Sequence, residues 1–267
     1  MRMTGLGRAT VLMTSMIVLV GCEVAFAQHD SETVNKTLPF PSDGTLRLRN
    51  FSGDVRITTT NGRDVAIKAV REANRDQLDH IKLDIQSSGS TISIDANMRD
   101  SGWSDRNHND NVVKTTFDIQ VPASAKLDVD VFSSPVTVDG VTGEQRLKTF
   151  SGKISVTGAR AAVTAESFNG DVDIDARQAS SPEMTIQTFS GHIGARLADT
   201  TRASVTFDTF SGRFDSDLPL SIHSNHSRDR VRPGRSTAST SSDRSTPASD
   251  DSRLRFHTFS GDVHISK

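Results

Sequence analysis

Leu147-Lys148-Thr149-Phe150-Ser151-Gly152-Lys153-Ile154-Ser155-Val156 carries the phrase on which the fold turns. Its centre, Phe-small-Gly-x-Val/Ile, recurs along the chain. It returns as Phe51-Ser52-Gly53-Asp54-Val55, Phe132-Ser133-Ser134-Pro135-Val136 and Phe168-Asn169-Gly170-Asp171-Val172. Further copies are Phe189-Ser190-Gly191-His192-Ile193, Phe210-Ser211-Gly212-Arg213-Phe214 and Phe259-Ser260-Gly261-Asp262-Val263. From Phe132 to Phe210 the phenylalanines are spaced 18, 18, 21 and 21 residues apart. A fixed period of this size marks a stacked repeat architecture.

Both flanks of the phrase alternate with period two, the mark of a half-buried strand. Leu147 and Thr149 lead into one copy, and Ile154 and Val156 leave it. The two alternations are out of phase, so a corner or bulge must lie between them. Gly152 suits that corner, because glycine tolerates close backbone approach. On this reading Phe150 turns inward with Ile154, and the seven phenyl rings form a ladder inside the stack. Each buried ring would then contribute about 1.5–3 kcal/mol. The expected corner residues are Phe51, Gly53, Phe132, Phe150, Gly152, Phe168, Gly170, Phe189, Gly191, Phe210, Gly212, Phe259 and Gly261. The expected fold is all-β, a β-solenoid of 18–21-residue strand-corner-strand repeats. An antiparallel meander or sandwich is the alternative, and near-equal periods favour the solenoid because neighbouring coils must match in perimeter.

The organisation read along the 267 residues is as follows. Residues 1–27 resemble an export signal, with Arg2 and Arg8 before an apolar run of 13 from Ala9 to Gly21, too short for a permanent membrane span. Ala25-Phe26-Ala27 offers a cleavage site, which we favour. Leu19-Val20-Gly21-Cys22 resembles a bacterial lipobox that would place lipid on Cys22, the chain's single cysteine. Residues 28–44 read as an extended lead-in broken by Pro39 and Pro41, and residues 45–125 as a strand-rich first part of the same domain. Asn61-Gly62 predicts a hairpin between Val55-Arg56-Ile57 and the strand from Val65, and Ser87-Ser88-Gly89-Ser90 predicts another. Residues 72–80 could form one helical turn. Met98 to Asn111 is a polar loop with the only Trp, Trp103. The repeat block spans 126–222. Residues 223–252, rich in Ser, Arg and Asp, are expected to be a disordered insertion, and 253–267 to close the stack as its final repeat.

Little in the sequence points to chemistry. The net charge is −2, with no basic footprint for nucleic acid. Among the eight histidines only His223 and His226 lie close together, too few for a zinc site. Asp54, Asp171 and Asp262 follow glycines, but Lys153, His192 and Arg213 take the same place in other copies, so calcium is not expected. Asp128 with Asp130, and Asp173 with Asp175, fall on solvent-facing positions, where charge resists edge pairing. No catalytic residue, cofactor or metal is expected.

The repeated Phe-Ser/Asn-Gly-x-Val/Ile units, with the export signal and the early strands, resemble a bacterial β-strand-repeat family of proposed adhesins, domain-of-unknown-function family 4097. The resemblance covers Leu46 to Lys267 and is strongest from Leu127 to Arg213. It implies an extracytoplasmic β-solenoid-like domain and supplies no catalytic residues. Ser134-Pro135 and the 223–252 insertion depart from the pattern. The expected function is an exported, non-catalytic adhesin or cell-envelope scaffold in the periplasm or at the cell surface. Its partner would be an envelope protein or a surface polysaccharide, with membrane contact only through Cys22. The rivals are a carbohydrate-active β-helix enzyme and an envelope-stress accessory protein.

Overall fold

The structure, a computed structural model, describes residues 30–99, 112–218, 221–224 (backbone only) and 252–267. Residues 1–27, read above as an export signal, and Cys22, Trp103 and most of the polar insertion lie outside the described residues.

The strands follow one another as β1 (Asp30–Pro39), β2 (Thr45–Ser52), β3 (Val55–Thr60) and β4 (Asp64–Ala73), then helix α1 (Arg75–His80), then β5 (Ile81–Ser88), β6 (Thr91–Arg99) and β7 (Lys114–Pro122). Paired strands come next: β8 (Lys126–Ser133) with β9 (Val136–Asp139), and β10 (Gln145–Ser151) with β11 (Ile154–Thr157). These are followed by β12 (Val163–Asn169) with β13 (Val172–Asp175), and β14 (Glu183–Ser190) with β15 (Ile193–Arg196). The rest are β16 (Ala203–Ser211) with β17 (Phe214–Ser216), β18 (Ser221–Ser224), and β19 (Ser252–Ser260) with β20 (Val263–Ser266).

Each pair is one coil, and the coils stack as parallel strands into two facing sheets. One sheet runs β18-β16-β19-β14-β12-β10-β8-β2-β6-β5, the other β1-β4-β7-β3-β9-β11-β13-β15-β20-β17. The molecule is therefore a β-solenoid and not a meander. Its core lies between the sheets, where Leu147 and Ile154 are fully buried and stack on Val129 and Val136 of the preceding coil. Every such side chain removes apolar area from water, about 1.5–3 kcal/mol each. Val141, Ala159, Ala179, Leu197 and Leu218 close the far side of the coils.

The order of coils in space departs from their order in the chain. β19 pairs with β14 on one side and β16 on the other, and β20 sits likewise between β15 and β17. After β15 the chain skips a rung, builds β16–β17 and β18, and returns to fill the gap with its last residues. Residues 253–267 thus do not close the stack; the coil of β16 and β17 lies beyond them, with β18 on the outer edge of β16, and Phe207 and Phe214 pack in that coil with ring centroids 5.3 Å apart.

The other end is built differently. β7 lies between β3 and β4, parallel to the first and antiparallel to the second, so Asn61-Gly62 does not join paired strands. The 28–44 lead-in contains β1, which pairs along its whole length with β4 and reaches Pro39 at the sheet edge. The hairpin at Ser87–Ser90 forms as β5 and β6. Helix α1 carries a capping box in which the Asn74 side chain accepts from the Gln77 backbone and the Gln77 side chain accepts from the Asn74 backbone. Buried Arg71 ties this end together, donating to Glu32 at 2.6 Å and to the Ile81 carbonyl.

Candidate functional site: an outward phenyl ladder and its groove

The alternation of β10 runs inward at Gln145, Leu147 and Thr149, so the next residue, Phe150, faces out. The same holds for each copy. Phe51, Phe132, Phe150, Phe168, Phe189 and Phe259 keep 40–46% of their surface exposed, and Phe210 keeps 80%. This corrects the expectation of an internal ladder. The rings do align, but on the outer face. The reason is that the inner corner position is taken by the residue one step earlier, polar in every copy but that of Phe132, where it is Val131. Thr149 donates to the Ser134 carbonyl at 3.2 Å, Ser167 to Gly152 at 3.4 Å and Thr188 to Gly170 at 3.4 Å. In the first coil Asn50 fills this place and donates to the Thr115 carbonyl at 2.9 Å. The phase shift between strands is thus absorbed over Phe-Ser-Gly: out, corner, corner.

The glycines permit the coils to close up there. A Cβ on Gly170 would overlap the Gly152 carbonyl, and one on Gly191 would overlap that of Gly170. The backbone also favours glycine at these corners, with φ of 106° at Gly53 and 153–159° at Gly152, Gly170, Gly191 and Gly261. Ser134 replaces glycine in one copy, where the Asn50 amide reaches its hydroxyl at 3.5 Å.

The ladder is continuous across seven coils. Successive centroids lie 4.7 Å apart for Phe51–Phe132, 4.8 Å for Phe132–Phe150 and for Phe150–Phe168, and 4.7 Å for Phe168–Phe189 and for Phe189–Phe259. Phe259–Phe210 closes the series at 4.9 Å. From Phe132 to Phe210 neighbouring planes differ by only 1–4°, so successive rings are nearly parallel. The spacing is that of strands in a sheet. It suits offset stacking, in which the rings use their faces on one another and turn their edges to solvent.

Beside the ladder runs a groove of about 780 Å³. Its other wall is the outward residue two before each phenylalanine: Arg49, Asp130, Lys148, Glu166, Gln187 and His257, with Asp208 at the final rung. From Asp95, which sits in register with Arg49 on β6 and lines the same groove, charge alternates as far as Glu166; beyond it Gln187 is neutral and His257 is charged only when protonated. Lys148 and Glu166 pair at 2.7 Å, and His257 and Asp208 at 3.3 Å. A third row, Arg47, Asp128, Arg146, Thr164, Thr185, Arg255 and Thr206, lies outside it in register.

The carboxylates singled out from sequence sit beside bases. Asp128 meets Arg47 at 3.6 Å and Asp173 meets Lys153 at 2.6 Å. The hydrogen bond to Asp173, followed by its charge, holds the Lys153 ammonium above its ordinary range. The Arg177 guanidinium, chiefly by its hydrogen bond, holds the Asp175 carboxyl below the usual range. Asp171 and Asp262 accept from the backbones of His192 and Arg213, each at 2.9 Å, and so serve the corners. Among the described residues no group of three or more His, Cys, Asp or Glu side chains could hold a metal ion. Of the expected corner residues, the glycines form a tight, mostly half-buried column at the corner and the phenylalanines the outer ladder. The charged row was not anticipated; strict counting back from Phe150 through Lys148 would have placed both outward.

The family model described as Toastrack DUF4097 matches residues 115–266, more than half of the chain. Several solved structures are similar at low identity. A proposed cell adhesion protein from Clostridium sporogenes is 9% identical with a TM-score of 0.43, over 89% of this chain and 99% of that one. A proposed adhesin from Bacteroides fragilis is 11% identical with a TM-score of 0.42, over 88% and 97%. A proposed lipid-binding protein from Parabacteroides distasonis is 10% identical with a TM-score of 0.25, over 88% and 97%. Likenesses of this size carry no argument about function. No curated protein matches the chain.

Proposed function

Because the chain belongs to the Toastrack DUF4097 family, a fold that brings no chemistry with it, we propose a function from the surface alone: an exported, non-catalytic interaction scaffold. The observation that carries this reading is the half-exposed phenyl ladder. A continuous apolar stripe of this kind, rimmed by charge, is what a contact surface offers. The basic start at Arg2 and Arg8 and the apolar run to Gly21 support export to the periplasm or cell surface. Lipid on Cys22 would fix the scaffold to a membrane.

The ladder favours an apolar protein surface over a polysaccharide. A sugar stacks on a ring face, and here the faces are spent on neighbouring rings, leaving edges. Glu166, on the groove, is held in an ion pair with Lys148, which does not suit it to acid–base work on a glycoside.

Binding of the purified protein to isolated cell envelopes tests the reading. Phe150→Ser/Phe168→Ser should weaken capture at least tenfold while circular dichroism stays that of a β fold. Unchanged capture would remove the ladder from the function. New reducing ends released from envelope polysaccharide would replace the scaffold with an enzyme.

A further inference from the structure

We propose that the occupant of the ladder is a second copy of the chain, laid face to face and reversed about a two-fold axis that runs parallel to the strands through Phe168. The proposal deepens the reading above and rests on the ladder being the contact surface.

Period is the first argument. A partner lying along the ladder must repeat every 4.7–4.9 Å. A helix advances about 5.4 Å per turn and would slip by most of a rung over six steps. A strand along the axis places same-side residues about 6.8 Å apart. Another copy has the required period by construction.

Charge is the second. The seven rungs are symmetric about Phe168, so reversal sets the first rung on the seventh and the second on the sixth. Arg49 then meets Asp208, and Asp130 meets His257. Arg49 and Asp130 are neighbours across β2 and β8, and Asp208 and His257 across β16 and β19, so each end becomes a square of four groups. In the outer row Asp128 meets Arg255, and Arg47 and Arg146 meet threonines. Lys148 meets Gln187. Only Glu166 meets itself, and it carries Lys148 with it at 2.7 Å. The unreversed two-fold that lays one charged row on the other would set every charge on its own kind.

Area is the third. Seven rungs of about 4.8 Å and three outward rows about 6.8 Å apart make a face of about 34 by 20 Å. Two such faces bury about 1,400 Å², within the range of stable interfaces. The contact is isologous, so it closes at two copies.

Sedimentation velocity on the purified protein over a concentration series tests this. Wild type should run as two chains. Phe168→Ser, at the axis, should give one. Arg49→Asp alone and Asp208→Arg alone should each weaken dimerisation at least tenfold. An equimolar mixture of those two variants, and the double variant R49D/D208R, should regain it. Six rungs, roughly 29 Å, separate these residues within one chain, so regain can only occur between chains. A monomer at all concentrations, or a dimer that ignores both charge reversals, overturns the proposal. If the protein is monomeric yet Phe150→Ser/Phe168→Ser still loses the envelope, the scaffold stands and the second copy falls. If neither readout moves, both fall.

Discussion

Phe150 and Thr149 are adjacent, and one of them had to face solvent. Apolarity argues that Phe150 is the inner one, whereas alternation from Leu147 assigns the inside to Thr149. Alternation wins because the Thr149 hydroxyl finds the Ser134 carbonyl of the preceding coil, while the phenyl ring recovers part of its burial from rings on either side. Residue identity was therefore misleading where residue spacing was legible. The energetics follow. Phe168→Ala should cost about 1–2 kcal/mol, from half a ring's area and two stacks. Leu147→Ala should cost about 2–5 kcal/mol, because it leaves a cavity between the sheets. Denaturant unfolding of the two variants checks the order; a larger loss at Phe168 would restore the buried ladder. Gly170→Ala should exceed Phe168→Ala, because the added methyl meets the fixed Gly152 carbonyl and not a movable side chain.

Two ion pairs on the outer face give opposite pH signatures. The Asp175 carboxyl is lowered, so its contribution is present above the ordinary carboxylate range and fades as pH falls through the lowered value. The Lys153 ammonium is raised, so its contribution is present below the ordinary lysine range and fades as pH rises through the raised value. Lys153 and Arg177 are each more than half exposed, so solvent screens both pairs and the effects on stability are small, although Asp175 itself is largely covered. In an NMR titration Arg177→Ala should move the Asp175 carboxyl upward, and an unmoved carboxyl would deny the pairing.

Among the elements, the repeat period located the coils but not their order. The 49-residue step from Phe210 to Phe259 reads as one long coil, since sequence separation says nothing about which rung a strand will fill. Likewise Asn61-Gly62 makes a turn, but β7 enters between the strands it connects. Local turn chemistry cannot report a strand that arrives some fifty residues later. The insertion of β19 and β20 has a testable consequence. Truncation after Ser249 removes an internal rung, so among the described residues β16 keeps only the short β18 and β17 keeps no partner strand. Amide exchange in Ala203–Ser211 should rise to that of an unfolded segment, while Gln145–Ser151 stays protected. Protection of both would mean that the last residues are an outer cap.

For the molecule as a whole, all-β class and solenoid stacking were readable because every coil must repeat one perimeter, and repetition leaves a numerical trace. The contact surface was not readable as such. It arises from registering outward residues on separate coils, as when Arg49 and Asp130 become neighbours though far apart in sequence. The central claim is that the phenylalanines form the outside of the solenoid and the aliphatics its inside. Thiol labelling with a polar maleimide tests it directly, on a Cys22→Ser background carrying either Phe168→Cys or Ile174→Cys. The account predicts that the thiol at 168, in the monomer that loss of the axial ring leaves, reacts at nearly the rate of the unfolded chain, and that the thiol at 174 reacts only on unfolding. Protection at 168 together with reactivity at 174 would contradict it.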